Sequence, residues 1–233
     1  MKAVSLWRRL FARFDRHAAP HNPPEQYWPD RGPRVVGPGG IAELRVGRQL
    51  ATFQAIHAAL VRRGATDVGD FGCNVAALGQ QIFDWDYQGR YLGVENNPHA
   101  LALAAQHLAE IAPARAWRLL RANIRRLPFA DHALETVVMK DVLEHMEDFR
   151  PLLDEAARVG RRTLVLGVFL PWRDGRARVR RHRHGFYLNS YRRTDVLEFL
   201  HARGWHHSET IPTREADGVP NEVVTFTRDE HVI

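Results

Sequence analysis

Two acidic side chains follow apolar segments at positions suited to holding a hydroxylated ligand. Asp70 lies two residues before Gly72 in a glycine-containing turn, and Glu95 ends the next apolar segment about 23 residues after that turn. A carboxylate at this spacing accepts hydrogen bonds from ribose hydroxyls in nucleotide-binding α/β proteins. Gly72 lets the backbone approach a ligand because it has no Cβ. Alternatively, Glu95 caps the helix expected to begin near Pro98, and Asp70 only orients the turn.

A third group of polar side chains follows the apolar segment ETVVMK. His145 is a candidate general base because imidazole titrates near neutral pH; it could equally shape a pocket or cap a helix. On one α-helical face, Asp141, Glu144 and His145 would form an oxygen–oxygen–nitrogen set able to bind a divalent metal. Short acid–histidine clusters at helix starts more often cap or face solvent, so we predict no metal. His182 and His184, without Cys or acidic neighbours, are weaker metal candidates.

The elements that position these side chains alternate between strand and helix. A helix over residues 41–63 is expected to end at Gly64. Beyond it, the hydrophobic pattern predicts helices at 78–83, 98–111, 149–159 and 194–203, and strands at 66–71, 90–95, 115–121, 135–140, 163–169, 205–211 and 222–227. This alternation predicts an α/β fold with a mostly parallel sheet and helices on both faces. The carboxyl ends of parallel strands meet at one edge, where ligands of such sheets bind.

As a set, three segments resemble the class I S-adenosylmethionine-dependent methyltransferases of the small-molecule, type 11 kind. Asp70 and Gly72 match the start of the family's D-x-G-x-G-x-G motif, and Glu95 matches the acid that ends its second strand. Residues 127–131 match L-P-F-x-D, and residues 142–145 match V-L-E-H, in the family's order. The resemblance implies a Rossmann-like, seven-stranded, mostly parallel sheet, and methyl transfer from S-adenosylmethionine by in-line attack.

The resemblance covers residues 66–169 and also assigns roles within the cofactor site. It implies that Glu95 binds the ribose and that the backbone of residues 72–73 approaches the methionine part. Asn123 stands where the family usually has an aspartate that contacts the adenine amino group, and its carbonyl oxygen can still accept that hydrogen bond. The residues expected to hold the cofactor are Asp70, Gly72, Cys73, Asn74, Glu95, Asn96, Asn123, Ile124 and Asp141.

Two residues depart from the family's glycine motif. Asn74 and Ala76 stand where the second and third glycines are usual. Asparagine tolerates a left-handed backbone better than most residues, whereas Ala76 adds a methyl group where the family has a close approach. A methyltransferase-like domain that has lost catalysis and serves as an interaction module is therefore a second hypothesis. A dinucleotide dehydrogenase is disfavoured because the turn lacks the full G-x-G-x-x-G motif.

Composition and charge indicate how the chain is divided and which partners it would bind. Among 233 residues, 33 Lys+Arg oppose 27 Asp+Glu, and the net charge of +6 favours anionic partners. A single cysteine, Cys73, and the lack of a long apolar segment predict a cytoplasmic protein.

We divide the chain into a basic amphipathic helix with a Pro/Gly-rich arm at 1–40 and a methyltransferase domain at 41–233. Within that domain, residues 169–193 form a basic insertion.

The insertion at 169–193 is expected to face the methyl acceptor. It mixes arginines with aromatic side chains, and arginine matches carboxylates and phosphates; alternatively, it is a solvated basic loop. We expect the methyl acceptor to be a small molecule or a lipid-linked compound, and the arginines favour one that carries a negative charge. A nucleic-acid acceptor is disfavoured because residues 139–142 lack the N/D-P-P-Y/F motif. The apolar stripe within residues 1–16 either packs on the domain or contacts a membrane surface.

Overall fold

The computed structural model of the chain describes residues 50–169, 172, 174–181, 186–215, 218 and 220–228. The predicted N-terminal helix and arm lie outside the described residues, as do the first part of the helix predicted at 41–63 and both His182 and His184. The division of the chain at residue 41 therefore stays a prediction.

Helices and strands alternate along the described chain. The helices are α1 (Leu50–Arg62), α2 (Ala77–Asp84), α3 (Pro98–Ile111), α4 (Arg150–Val159) and α5 (Arg193–His201), with a 3₁₀ turn at Leu143–His145. The strands are β1 (Asp67–Phe71), β2 (Arg90–Glu95), β3 (Trp117–Arg121), β4 (Leu134–Lys140), β5 (Gly160–Val168), β6 (Trp205–Arg214) and β7 (Pro220–Arg228). Every strand and helix predicted beyond Gly64 is present. β6 and β7 are longer than predicted because they pair antiparallel with each other over their whole length. β5 begins three residues earlier than predicted, where Gly160 pairs in parallel with Leu134 of β4.

The seven strands form one sheet in the order β3-β2-β1-β4-β5-β7-β6. β1 to β5 pair in parallel, and β7 runs antiparallel to both of its neighbours. The expected Rossmann-like, mostly parallel, seven-stranded sheet is confirmed. The strand order reverses direction between β1 and β4, which is the point where open α/β sheets bind ligands.

Helices cover both faces of the sheet and bury two apolar clusters. α4 and α5 pack on one face, where Leu152 and Leu200 join Met139 of β4. α1, α2 and α3 pack on the other face, where Ile56 and Leu108 meet the sheet. Successive side chains of a strand point to opposite faces, so β4 contributes to both clusters. No helix among the described residues is long and apolar enough to cross a membrane.

Candidate functional site

The five parallel strands end at one edge of the sheet, which we call the carboxyl edge. The segments that follow them are residues 72–76 after β1, 96–97 after β2, 122–124 after β3, 141–145 after β4 and Phe169 after β5. All the residues predicted for the cofactor site, and the predicted base His145, lie in these segments or at the strand ends. The structure therefore brings the predicted residues to a single edge around the β1–β4 reversal.

The loop after β1 has a left-handed backbone at each position where the family motif has glycine. The φ angles are +76° at Gly72, 51° at Asn74 and 55° at Ala76. The loop thus takes a glycine-like course although two of the three glycines are replaced. The conformation is mild for asparagine, but it costs alanine about 1–2 kcal/mol. The methyl group of Ala76 is buried in the apolar cluster that includes α1 and α2.

Gly72 is required by space as well as by conformation. A Cβ built on Gly72 would lie 2.7 Å from Cγ2 of Val142, closer than side chains approach. The backbone N–H groups of Gly72 and Cys73 both donate to the Val94 carbonyl, at 2.8 and 3.1 Å, which fixes the loop against β2. Cys73 is buried, and burial raises the pKa of its thiol well above the ordinary value, so this thiol is not a reactive nucleophile.

The carboxylate of Glu95 joins the loops after β1 and β2. Its Oε2 accepts the Asn74 N–H at 3.1 Å, and its Oε1 accepts the N–H groups of Asn96 and Asn97 at 2.7 and 3.0 Å. An ionised carboxylate offers about four acceptor positions, and three are filled here. The N-cap of α3 is Asn97, whose side chain accepts the N–H groups of the first helical turn, so Glu95 is not the helix cap.

Asp70 lies inside the fold beneath the loop after β1. Its Oδ2 accepts the hydroxyl proton of Tyr91 at 2.6 Å, and the side chain is buried. Burial raises the pKa of Asp70 to about 6, although the Tyr91 hydrogen bond and the positive charge of Lys140 act in the opposite direction. Because its pKa is about 6, the Asp70 carboxyl is negatively charged above that pH, beneath the loop after β1.

The segment after β3 presents Asn123 to solvent. Its Oδ1 accepts the Arg125 N–H at 3.0 Å, closing a local turn. Ile124 is half-buried against the apolar cluster that includes α4 and α5. After β2, the Asn96 carbonyl accepts a long hydrogen bond of 3.4 Å from Nε of Arg121.

Asp141 leaves β4 with a left-handed backbone. Its φ is 56°, its N–H donates to the Gly167 carbonyl at 2.8 Å, and its carboxylate pairs with Nζ of Lys140. Because of this turn, Asp141 is outside the 3₁₀ turn that contains Glu144 and His145. The α-helical face on which the metal alternative depended does not form, and Glu144 is buried with Oε1 accepting the Phe169 N–H at 2.7 Å.

His145 closes the 3₁₀ turn and lies among aromatic side chains. Its Nδ1 is 3.0 Å from the Tyr187 carbonyl, and its ring packs against Phe169 and Phe186 with centroids 5.7 and 6.1 Å apart. A carbonyl only accepts hydrogen bonds, so Nδ1 carries the proton. In the neutral ring, the basic lone pair is therefore on Nε2.

Comparison with known proteins shows which family this arrangement resembles. Residues 69–164 match a family model described as "Methyltransferase domain". Over these residues the chain is similar to that family. The matched residues run from β1 into β5 and contain the whole β1–β4 reversal, so the predicted resemblance is confirmed. No curated protein matches the sequence.

Solved structures similar to the chain share the domain's fold at low sequence identity. Magnesium protoporphyrin IX methyltransferase (ChlM) from Synechocystis PCC 6803, solved with bound SAM, is 18% identical, with a TM-score of 0.62 over 97% of this chain and 91% of that chain. The 1,6-didemethyltoxoflavin-N1-methyltransferase of Burkholderia thailandensis, solved with its substrate and S-adenosylhomocysteine, is 14% identical, with a TM-score of 0.62 over 97% and 89%. The [4+2]-cyclase SpnF is 14% identical, with a TM-score of 0.68 over 91% and 98%.

Two buried residues of the domain that the sequence did not single out fasten the insertion to the 3₁₀ turn. The side-chain amide of Asn189 donates to the Met146 carbonyl and to Oη of Tyr191, and its Oδ1 accepts the Arg180 N–H at 2.8 Å. The Tyr191 hydroxyl also donates to the Met146 carbonyl. In the sequence, this part of the chain shows only aromatic residues around an asparagine, with no helical or strand-like spacing.

A cavity of about 400 Å³ lies at the opposite edge of the domain's sheet. It is lined by residues before β1 and β2, among them His57, Trp85, Tyr87 and Arg90. It is therefore separate from the carboxyl edge, where the family motif lies, and we do not assign the cofactor to it.

Proposed function

We propose that the chain transfers a methyl group from S-adenosylmethionine to a small-molecule acceptor. The loop after β1 carries this proposal, because it has the left-handed course of a glycine motif and is tied to Glu95. The carboxylates, the exposed amide of Asn123 and the buried ammonium of Lys140 lie at one edge and suit a nucleoside that bears an amino acid. When bound, S-adenosylmethionine supplies a methyl group on a positively charged sulfur, which an acceptor nucleophile attacks in line.

The residues at the carboxyl edge divide between the parts of this cofactor. Glu95 takes the ribose with the acceptor position that its three N–H partners leave. Asn123, exposed at the end of β3, binds the adenine amino group, and Ile124 offers an apolar surface to the base. The turn of residues 72–74 takes the methionine part, with Asp70, Asn96 and Asp141 beside it.

His145 is the proposed general base for an acceptor that must lose a proton. The Tyr187 carbonyl accepts the Nδ1–H at 3.0 Å, which fixes the orientation of the ring and makes Nε2 its basic nitrogen. Phe169 and Phe186 pack on the ring and limit the access of water to it. Proton removal at this position would accompany attack on the methyl group, without a metal.

An anionic acceptor fits the charge of the insertion. Residues 174–181 are exposed and contain Arg176, Arg178, Arg180 and Arg181. Backbone bridges join Arg178 to Ser190 and Arg181 to Tyr187, so this basic ribbon is attached to the segment that holds His145. The planar guanidinium group of arginine forms paired hydrogen bonds with carboxylates and phosphates. The positive charge of the ribbon would therefore attract a free or lipid-linked anion to the entrance of the site.

A second candidate is a domain of this fold that does not transfer methyl groups. The similarity to a structure named as a [4+2]-cyclase favours it, because the fold alone does not fix the reaction. The two hypotheses differ in what happens to the methyl group.

The test is to incubate the protein with S-adenosylmethionine labelled in the methyl group and with anionic and neutral fractions of a small-molecule extract. We expect label in the anionic fraction, with S-adenosylhomocysteine formed in equal amount. His145→Asn, which keeps a polar side chain but not the base, serves as the matched variant and should lose most of the transfer. Bound cofactor with no transfer to either fraction would favour the non-methylating alternative.

A further inference from the structure

Lys140 is a buried cation at the centre of the carboxyl edge. It is the last residue of β4, next to the strand reversal, and only 7% of its side chain is exposed. Two residues earlier, Val138 packs in the cluster that includes α1, so Lys140 points to the same face. Its stem lies on Gly167, where a Cβ would come within 3.0 Å of the Lys140 Cγ. Nζ lies 5.1 Å from the ring centroid of Phe53 of α1.

The ammonium group of Lys140 has more donors than the protein satisfies. Among the described residues, its one hydrogen-bond acceptor is the carboxylate of Asp141. An ammonium has three N–H donors, so two of them have no acceptor in that part of the chain. A buried charge with unsatisfied donors is costly, and such groups are normally completed by a partner or a ligand.

The surroundings of Lys140 would suit an amino acid headgroup. Asp70 of β1 pairs in register with Val138 of β4, two residues before Lys140, so Asp70 and Lys140 lie near one another at the carboxyl edge. Asp141 adds a second carboxylate, held next to Nζ by its left-handed backbone. Two acids beside one cation are the complement of a group that has both an ammonium and a carboxylate on one carbon.

We propose that Lys140 binds the carboxylate of the methionine part of S-adenosylmethionine through its two remaining N–H donors. This assignment rests on the proposed function. It gives the site a fixed cation for the one anionic group of the cofactor, whose sulfonium and ammonium are both positive. Lys140 is then a cofactor-binding residue and has no part in the methyl transfer itself.

The test compares two ligands that differ only in that carboxylate. Calorimetric titrations with S-adenosylmethionine and with decarboxylated S-adenosylmethionine are run on the wild type, Lys140→Met and Lys140→Gln. We expect Lys140→Met to bind S-adenosylmethionine about 10- to 100-fold more weakly, as is usual for loss of a charge-assisted hydrogen bond. Binding of the decarboxylated ligand should be unchanged or tighter, because a repelling positive charge has gone. Lys140→Gln, which keeps a neutral donor, should lose less.

Arg90→Met is the matched control, since it also removes one cation but at the opposite edge of the sheet, where Arg90 pairs with Asp67. An equal loss of both ligands in a folded Lys140→Met would overturn the inference, because Lys140 would then only support the loop. Unchanged binding of S-adenosylmethionine would overturn it as well, while leaving the proposed function intact. A wild type that binds neither ligand would overturn the proposed function and this inference with it.

Discussion

The backbone N–H of Asn74 donates to Oε2 of Glu95 at 3.1 Å, across 21 residues of sequence. This hydrogen bond ties the loop after β1 to the end of β2. The backbone of Asn74 is left-handed at this point, with a φ of 51°. The loop geometry and the proposed ribose-binding acid are therefore one structural unit.

Substitutions of Asn74 should reveal how much the left-handed backbone at this position costs in stability. Asn74→Ala should lower the free energy of unfolding by about 1 kcal/mol, because alanine pays more than asparagine for a left-handed conformation. Asn74→Gly is the matched control and should stay within about 0.5 kcal/mol of the wild type, since glycine adopts this backbone without strain. Urea denaturation of both variants measures the difference. Equal stabilities of the alanine and glycine variants would contradict the strain described here.

Asp70 should make the protein less stable as the pH rises. Its pKa is raised from 3.8 to about 6 in the folded protein, so between these values the native state binds more protons than the unfolded state. Stability is then lost as the pH rises through this window. Asp70→Asn keeps an acceptor for the Tyr91 hydroxyl but has no charge to bury. Above about pH 7, it should be more stable than the wild type by roughly 1 to 3 kcal/mol.

Urea denaturation at about pH 4 and about pH 8 tests this expectation, because Asp70 is largely protonated in the folded protein at the lower pH. The gain in Asp70→Asn should be small at the lower pH and large at the higher one. An equal gain in the free energy of unfolding at both pH values would mean that burial does not raise the pKa of Asp70.

Asn189 should determine how firmly the insertion is held over the site. Asn189→Ala removes one of the two donors to the Met146 carbonyl and the acceptor of the Arg180 N–H, a loss that costs about 1–3 kcal/mol. We expect faster hydrogen exchange at the Arg180 amide and a higher KM for the acceptor, with S-adenosylhomocysteine affinity within about two-fold of the wild type. Tyr191→Phe is the milder comparison, because Asn189 remains bonded to Met146. Unchanged exchange at Arg180 would show that Asn189 does not hold the segment.

His145 should affect catalysis more than cofactor binding. His145→Asn should lower kcat about 10²- to 10⁴-fold, the usual contribution of a general base. The affinity for S-adenosylhomocysteine should change less than about two-fold, because His145 is proposed to act on the acceptor. Methyl-transfer rates at saturating cofactor, together with calorimetry, give both quantities. A large loss of cofactor affinity with unchanged kcat would reassign His145 to the cofactor.

The sequence predicted the fold well where the signals were local. β2 and α3 have the predicted bounds, because α3 begins with Asn97 as N-cap and Pro98 in its first turn. Gly64 ends α1 with a φ of +59°, as expected for a glycine stop. The left-handed course at Ala76 was not foreseen, because alanine carries no local preference for it.

The parts of the site that the sequence did not predict depend on distant contacts. The role of Asn189 requires Met146, 43 residues away. The burial of Lys140 requires Phe53 of α1 and Gly167 of β5, which come together only in the folded sheet. A lysine at the end of a strand has no pattern that distinguishes a buried cation from a solvated one.

The central claim is that the carboxyl edge around Glu95 binds S-adenosylmethionine. Calorimetric titration with S-adenosylhomocysteine, on the wild type and on Glu95→Ala, tests it most directly. Glu209→Ala, which removes an exposed acid paired with Arg62, is the control. We expect micromolar binding by the wild type and the control, and at least about 10-fold weaker binding by Glu95→Ala. A folded wild type that binds nothing at millimolar ligand, or a Glu95→Ala that binds as tightly as the wild type, would contradict the claim.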